Sequence, residues 1–357
     1  MKILISYYVP SGGMETLNRL RAEALAKHGV VCHLHYQMYG SGLQNNTSSI
    51  PTFITNNELE LQHLLLTGQY DAVIVSHDYM MLERVRRLGY QRIVLFEVQG
   101  LGQRSDAVQI LLAAAPFIRK YSNAVFYPRT SHLVELFRGM FPDVGQFCFP
   151  NLLDTERFRY RPLPVHPYPI MGWVGRIETN KNWRGFLQIG YHLREMVPNL
   201  QLWMFHDSQL NQPEEFDAFQ HMVAAQGIGS HLHLLSNVPH RDMADYFSMI
   251  GDSGGFLAST SILEGFGYAV AEAMLCRCPV LSTDSDGVRS FIIHDVTGKF
   301  YPSGNLEAAL THAMDLITNA QLRKNIRDNG ERHIMEHYSP DKYCPQFLEM
   351  VHSLGIY

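Results

Sequence analysis

Positive charge is in short supply in this chain: 29 Lys and Arg against 34 Asp and Glu give a formal net charge of −5. A general nucleic-acid binder releases counterions with clustered positive charge, so this balance argues against one, though not against a local basic patch. No uninterrupted apolar run approaches the roughly twenty residues of a membrane span. The N-terminus enters the strand-like Lys2-Ile3-Leu4-Ile5-Ser6-Tyr7-Tyr8 without the charged, apolar and small-residue order of a secretory leader. The expected location is cytoplasmic. Cysteine is scarce as well. The five, Cys32, Cys148, Cys276, Cys278 and Cys344, are odd in number and lack zinc or disulfide spacing, so reduced, buried thiols are expected. Cys276-Arg277-Cys278 stands too isolated to suggest a metal. No repeat or low-complexity tract is visible.

What the chain has is length and alternation. At 357 residues it exceeds what one core usually organises, so two domains are expected. Short β runs at Ile3 to Tyr8, Val30 to His35, Ala72 to Ser76, Ile93 to Val98 and Ala124 to Tyr127 alternate with helical patterns such as Glu15 to Lys27 and Leu59 to Leu66. That alternation predicts an α/β architecture with a parallel sheet covered by helices. Arg161 to Pro169, with four prolines, cannot continue a helix or a central strand and is the expected linker. Beyond it the alternation resumes near Ile170 to Val174, Gln201 to Phe205, Leu232 to Leu235, Gly255 to Ala258, Val280 to Ser282 and Gly298 to Tyr301, with a last helix around Asp341 to Leu354. The expected domains are residues 1–160 and 161–339. Ligands of such sheets bind at the carboxyl ends of the strands, here in a cleft expected between the domains.

Two motifs carry chemistry. In Glu264-Gly265-Phe266-Gly267-Tyr268-Ala269-Val270-Ala271-Glu272 two carboxylates stand eight positions apart, the first before a Gly-aromatic-Gly turn. Gly267 can take positive φ, letting the backbone N–H groups of Phe266, Gly267 and Tyr268 converge at a helix start as a cup for polar or anionic groups. Glu272, about two turns along at roughly 1.5 Å per residue, would then hold another part of one extended ligand. A capped helix with two solvated acids explains the spacing equally well. Upstream, Val174-Gly175-Arg176-Ile177-Glu178-Thr179-Asn180-Lys181-Asn182 delivers an Arg and a Lys five residues apart from the end of a strand. A guanidinium fork and an ammonium together suit a diphosphate, and they also suit an ordinary surface pair.

Taken together, the Gly-Arg-x4-Lys and Glu-x7-Glu motifs resemble the nucleotide-sugar site of the retaining glycosyltransferases of family four, which have the GT-B fold. Ser11-Gly12-Gly13-Met14-Glu15 is similar to the family's Gly-Gly loop after the first strand, Phe149 to Phe158 to its interdomain segment, and Asp295 to Phe300 to its late turn. The resemblance implies two Rossmann-like domains facing a central cleft. The first would lie on the acceptor side, with residues 340–357 crossing back onto it, and the second would bind the nucleotide sugar. It further implies retaining hexosyl transfer from a nucleoside-diphosphate sugar, UDP-linked glucose or N-acetylglucosamine by family precedent, to a hydroxyl of a glycan, a lipid-linked molecule or a small molecule. Arg176 and Lys181 match the diphosphate pair that stabilises the leaving group. Glu264 matches the acid against the donor sugar, aided by the N–H groups of Phe266, Gly267 and Tyr268, and Glu272 matches the acid that accepts from the ribose hydroxyls. Gly12 and Gly13 would let the first-domain loop approach the phosphates. The acceptor would attack from the face the diphosphate leaves, a phosphate oxygen taking its proton. No close carboxylate pair, metal or other cofactor is then expected.

Other positions are less tied to the pattern. His77, at a strand end, is an acceptor-side candidate or a structural histidine. Gln99 stands where many relatives carry a His near the donor sugar, and an amide cannot exchange a proton near neutral pH. Glu97 is either its polar neighbour or a buried or capping group. His206-Asp207-Ser208 and Ser290 depart from the family's Gly-rich turn and Glu, while Leu235 to His240 is expected near the base. Asp284-Ser285-Asp286 reads as an Asx-bonded turn rather than a metal site. In Tyr79 to Arg92 arginines alternate with apolar residues, which suits a solvated helix or one resting weakly on an anionic inner membrane face. Two further functions share the pattern: a sugar-nucleotide epimerase or phosphorylase, and a non-catalytic nucleotide-sugar-binding partner of a glycosyltransferase.

Overall fold

The computed structural model describes every residue except Gln103, Gln209 and Leu210. The chain divides into two compact units, Met1–Asp154 with Tyr338–Tyr357, and Thr155–His337. The proline-rich segment lies inside the second unit, because residues before it already pack there. Phe158 is buried against His240 and Phe247, the Tyr160 hydroxyl donates to Asp252 at 2.9 Å, and Arg161 pairs with Asp245 at 2.8 Å.

Among the described residues the first unit holds seven strands: β1 (Lys2–Tyr7), β2 (Val31–Tyr36), β3 (Thr52–Ile54), β4 (Ala72–Ser76), β5 (Ile93–Glu97), β6 (Ala124–Tyr127) and β7 (Gly145–Cys148). They pair in parallel in the order β3-β2-β1-β4-β5-β6-β7. Helices cover both faces, so the central strands are near-continuous apolar runs such as Val73-Ile74-Val75. One face carries Leu82, Val85, Leu111, Ile118 and Phe137. The helices Gly12–Ala26 and Pro340–Ser353 also belong to this unit. The first of them buries Arg19 and Arg21 completely.

The second unit holds β8 (Ile170–Val174), β9 (Gln201–His206), β10 (Leu232–Ser236), β11 (Phe256–Ser259), β12 (Val280–Thr283) and β13 (Lys299–Tyr301). Their order is β10-β9-β8-β11-β12-β13, again parallel. Trp173, Trp183, Phe186, Leu193 and Phe219 lie in its core. In both sheets the chain winds outward on one side, returns, and winds outward on the other. The reversal falls between β1 and β4 in one unit and between β8 and β11 in the other. Crevices at such reversal points are where α/β sheets bind ligands.

All five cysteines are free, and burial pushes the Cys32 and Cys278 thiols up to about 12, which suppresses thiolate chemistry. Among the described residues no helix is long and apolar enough to cross a membrane. In the helix Tyr79–Arg87, Arg87 forks onto Glu58 at 2.7 Å and Arg84 donates to the Asn56 carbonyl at 2.6 Å. Arg86 donates to the carbonyls of Tyr90, Arg92 and Tyr121.

Candidate active site

Two loops leave the carboxyl ends of the neighbouring strands β8 and β11. The first opens at Gly175, where a Cβ would stand 2.9 Å from the Trp173 ring, so only glycine lets the chain turn over that buried indole. Arg176 follows, half exposed, with Nη2 3.1 Å from Glu178 Oε1. Lys181 precedes Asn182, which takes a left-handed φ of 47° and accepts from the Gly185 N–H to cap the helix Trp183–Met196. The second loop is fastened to the first. Ile262 N–H donates to the Asn180 carbonyl at 2.8 Å, Asn180 Nδ2 donates to the Leu263 carbonyl at 3.2 Å, and Thr260 Oγ1 donates to the carbonyls of Lys181 and Asn182 at 2.9 Å. Trp173 Nε1 donates to Thr260 Oγ1 from below at 3.0 Å.

That fastening brings Lys181 to Glu264. Nζ lies 2.6 Å from Oε1, and Ser261 Oγ donates to the same oxygen at 2.7 Å. Gly267 then takes φ +85° and starts the helix Tyr268–Leu275, with Phe266 packed on Tyr268 and Phe291. A Cβ on Gly287 would stand 2.4 Å from the Glu264 carbonyl oxygen, so the loop after β12 presses on this turn. Glu272 is buried just past the first turn of the helix, and His240 Nε2 lies 2.9 Å from its Oε1. His240 begins the short turn after β10 and Asn237, and its ring rests 4.8 Å from that of Phe158.

Other candidates in this unit have local partners. Asp284 and Asp286 hold a guanidinium: Arg289 donates to Asp284 at 2.6 and 3.0 Å and to Asp286 at 3.1 Å. That ion pair spans the loop. Ser290 Oγ donates to the Gly287 carbonyl, and His206 stacks on Phe216. Among the described residues no group of three or more His, Cys, Asp or Glu is placed to hold a metal.

In the first unit, Gly12 with φ +60° opens the helix Gly12–Ala26, and Gly13 is exposed beside it. The helix therefore starts at the Gly-Gly pair rather than at Glu15, whose carboxylate pairs with buried Arg19 at 2.9 Å. His77 and Gln99 are brought together, since Gln99 N–H donates to His77 Nε2 at 2.7 Å. The Gln99 side chain points into a buried network, donating to Glu97 Oε1 at 2.7 Å and accepting from Asn151 Nδ2 at 2.6 Å. Glu97 is fully buried against the Arg21 guanidinium and accepts from Ser76 Oγ at 2.7 Å. Burial alone would raise the Glu97 carboxyl, but Arg21 and these hydrogen bonds hold it below its ordinary value. Arg21 Nε also donates to the Tyr343 hydroxyl at 2.7 Å.

Comparison with known proteins decides the family. The model described as Glycosyl transferases group 1 matches residues 154–333, half of the chain. The chain belongs to this family. Among curated glycosyltransferase relatives, it is 24% identical over 249 residues to trehalose synthase of Pyrococcus horikoshii, covering 67% of this chain and 59% of that protein. It is 20% identical over 279 residues to 2-deoxystreptamine N-acetyl-D-glucosaminyltransferase of Niallia circulans, covering 78% and 63%. The chain thus spans less than two thirds of these relatives' length. Solved structures share the GT-B fold. Anabaena HepE in complex with UDP and glucose superposes with a TM-score of 0.82 at 16% identity, over 99% of this chain and 100% of that one. Sucrose-phosphate synthase from Thermosynechococcus elongatus gives 0.80 at 16% identity, over 99% of each. The Gly-Arg-x4-Lys and Glu-x7-Glu spacings single out Arg176, Lys181, Glu264 and Glu272 in the sequence. His240 and Arg21 have no local signal, since their partners Glu272 and Glu97 lie on other elements, whereas Arg289 stands within five residues of Asp284 and Asp286.

Proposed function

We propose that the protein is a retaining hexosyltransferase that moves a sugar from a nucleoside-diphosphate donor, UDP-linked, to an acceptor hydroxyl. The observation that carries this reading is the 2.6 Å contact of Lys181 with Glu264 across two loops fastened at the β8/β11 reversal. One loop end thereby offers cations and the other a carboxylate, as a diphosphate-linked polyol requires. Arg176 and Lys181 exchange their present carboxylate partners for the diphosphate and stabilise its charge as the sugar–phosphate bond breaks. Glu264, released from Lys181, accepts from a hydroxyl of the sugar and orients the ring. Glu272 accepts from the ribose, and the N–H groups of Phe266, Gly267 and Tyr268 favour the negative charge. The acceptor hydroxyl attacks on the leaving-group face and passes its proton to a phosphate oxygen, so the work falls to side chains and helix ends without a metal.

A membrane-resting acceptor draws less support, because the arginines of Tyr79–Arg87 already meet Glu58 and main-chain carbonyls. The test is to incubate the purified protein with UDP-, GDP- and ADP-sugars, with and without candidate acceptors, and follow the anomeric product by NMR. Transfer with retained configuration supports the reading. An epimerised donor, phosphorolysis alone, or binding without turnover would each replace it.

A further inference from the structure

The β1/β4 reversal of the first unit has a chemistry of its own. His77 follows β4 directly and holds a left-handed backbone, φ +65°. Its Nε2 lies 2.7 Å from the Gln99 backbone nitrogen. A backbone N–H can only donate, so Nε2 carries the lone pair and the proton of the neutral ring sits on Nδ1. Burial independently favours the uncharged imidazole, against the nearby Glu97. No side chain or carbonyl among the described residues meets that Nδ1–H, and the residue is only partly covered. Around it stand Tyr7, edge-on to the imidazole at 5.9 Å, and Tyr8, 41% exposed and hydrogen-bonded to Asp78. Asp78 also accepts from Gln37 Nε2 at 2.8 Å and from the Met81 N–H. Met38 and Tyr39, both largely exposed, continue from the Gln37 segment, whose backbone is bonded to Tyr8. The surface combines a fixed neutral donor, a carboxylate-anchored phenol and exposed aromatic rings.

We propose that His77 and Tyr8 form a saccharide-binding subsite, in which His77 Nδ1–H donates to a ring hydroxyl and the Tyr8 ring lies against the apolar face of the sugar. Amphipathic sites of this kind pair an aromatic wall with a few placed polar groups, which a sugar ring matches on both counts. His77 is a donor there and not a base, because Nδ1 is already protonated and Nε2 is taken. The assignment rests on the glycosyltransferase reading in making this sugar the acceptor.

The test uses the full chain, with and without saturating UDP, and saturation-transfer NMR of the methyl glycosides of glucose, galactose, mannose and N-acetylglucosamine. Farnesyl phosphate serves as the lipid-type probe. At least one methyl glycoside is expected to bind. His77→Gly keeps the left-handed backbone without strain, and should weaken that binding roughly three- to tenfold, the scale of one hydrogen bond. Tyr8→Leu should do the same, and UDP affinity should stay unchanged in both variants. Affinity should be flat from about pH 6.5 to 8.5, where an imidazole of depressed pKa stays neutral. The subsite is refuted by any of three results: no methyl glycoside binds, the His77→Gly chain binds as wild type, or farnesyl phosphate binds in place of the sugars. Loss of UDP binding with His77-dependent sugar binding intact would fault the nucleotide reading alone.

Discussion

The two reversal points are built on the same topology and differ in where they keep their charge. At β8/β11 the charged groups stand at the surface: Arg176 is half exposed, and Lys181 and Glu264 meet at the loop mouth. At β1/β4 the ion pair of Arg21 and Glu97 is sunk out of contact with water, and the groups left above it are Tyr7, Tyr8 and a neutral His77. A sheet end that must meet a departing dianion gains from exposed cations, whose partners can be exchanged. One that meets an uncharged hydroxyl gains from rigidity below and dipoles above. The same winding of strands supports both because the loops, not the sheet, carry the difference.

The largest expected effect tests the buried side. Glu97→Ala leaves Arg21 charged and unpaired in the core, and should destabilise the first unit by about 3–5 kcal/mol. Hydrogen exchange resolved by unit is the measurement, and equal protection in both units of the variant would contradict it. On the exposed side, Arg176→Ala and Lys181→Ala should each cost about 2.7–4 kcal/mol in kcat/KM, the scale of a lost preorganised donor. Their melting temperatures should barely move, and near-normal turnover by either variant would remove these residues from the mechanism. Stability lost together with activity would erase the contrast between the two ends.

How much of this was legible depends on whether the cause was local. The central strands announce themselves as runs such as Ile3-Leu4-Ile5, buried on both faces. The three-residue β3 and the partly exposed edge strand β7 do not, having no apolar run to show. Arg176, Lys181, Glu264 and Glu272 could be picked out because spacing along one loop or helix is a sequence property. The partners of Glu272 and Glu97 lie 32 and 76 residues away, and only the packing of separate elements pairs them. Glu15 to Lys27 was readable as a helix, but its start at Gly12 was not, because a left-handed first residue leaves no periodic trace.

A smaller effect is set by protons. His35 is buried with Nδ1 accepting from Ser6 Oγ at 2.8 Å and Nε2 donating to the Thr55 carbonyl at 2.9 Å. Burial lowers its pKa, the Thr55 bond opposing and Arg84 reinforcing the shift, and His77 is lowered too. The unfolded chain, with histidines near pKa 6.5, therefore takes up more protons below about pH 6.5 than the folded one. Stability should be flat above that pH and fall as pH drops through it, before the still lower Glu97 titrates. Urea unfolding between about pH 7.5 and 5 measures this, and His35→Gln should flatten the slope. A steeper slope in that variant would contradict the assignment. The smallest expected change is none. Turnover should survive EDTA, since Asp284 and Asp286 are committed to Arg289. Loss restored by Mg²⁺ or Mn²⁺ would put a metal where side-chain cations are now placed.

The helix Pro340–Ser353 has a consequence for how the protein is made. Tyr343 sits over the buried Arg21 and belongs to the first unit, while residues 155–337 form the second as one uninterrupted stretch. On the ribosome the earlier-synthesised part must therefore wait, with Arg21 lacking the rings of Tyr343 and Phe347, until the later one has emerged. The second unit can finish first. A nascent chain stalled before residue 338 would carry a complete second unit beside an incomplete first one, and chaperones would be drawn to the N-terminal end.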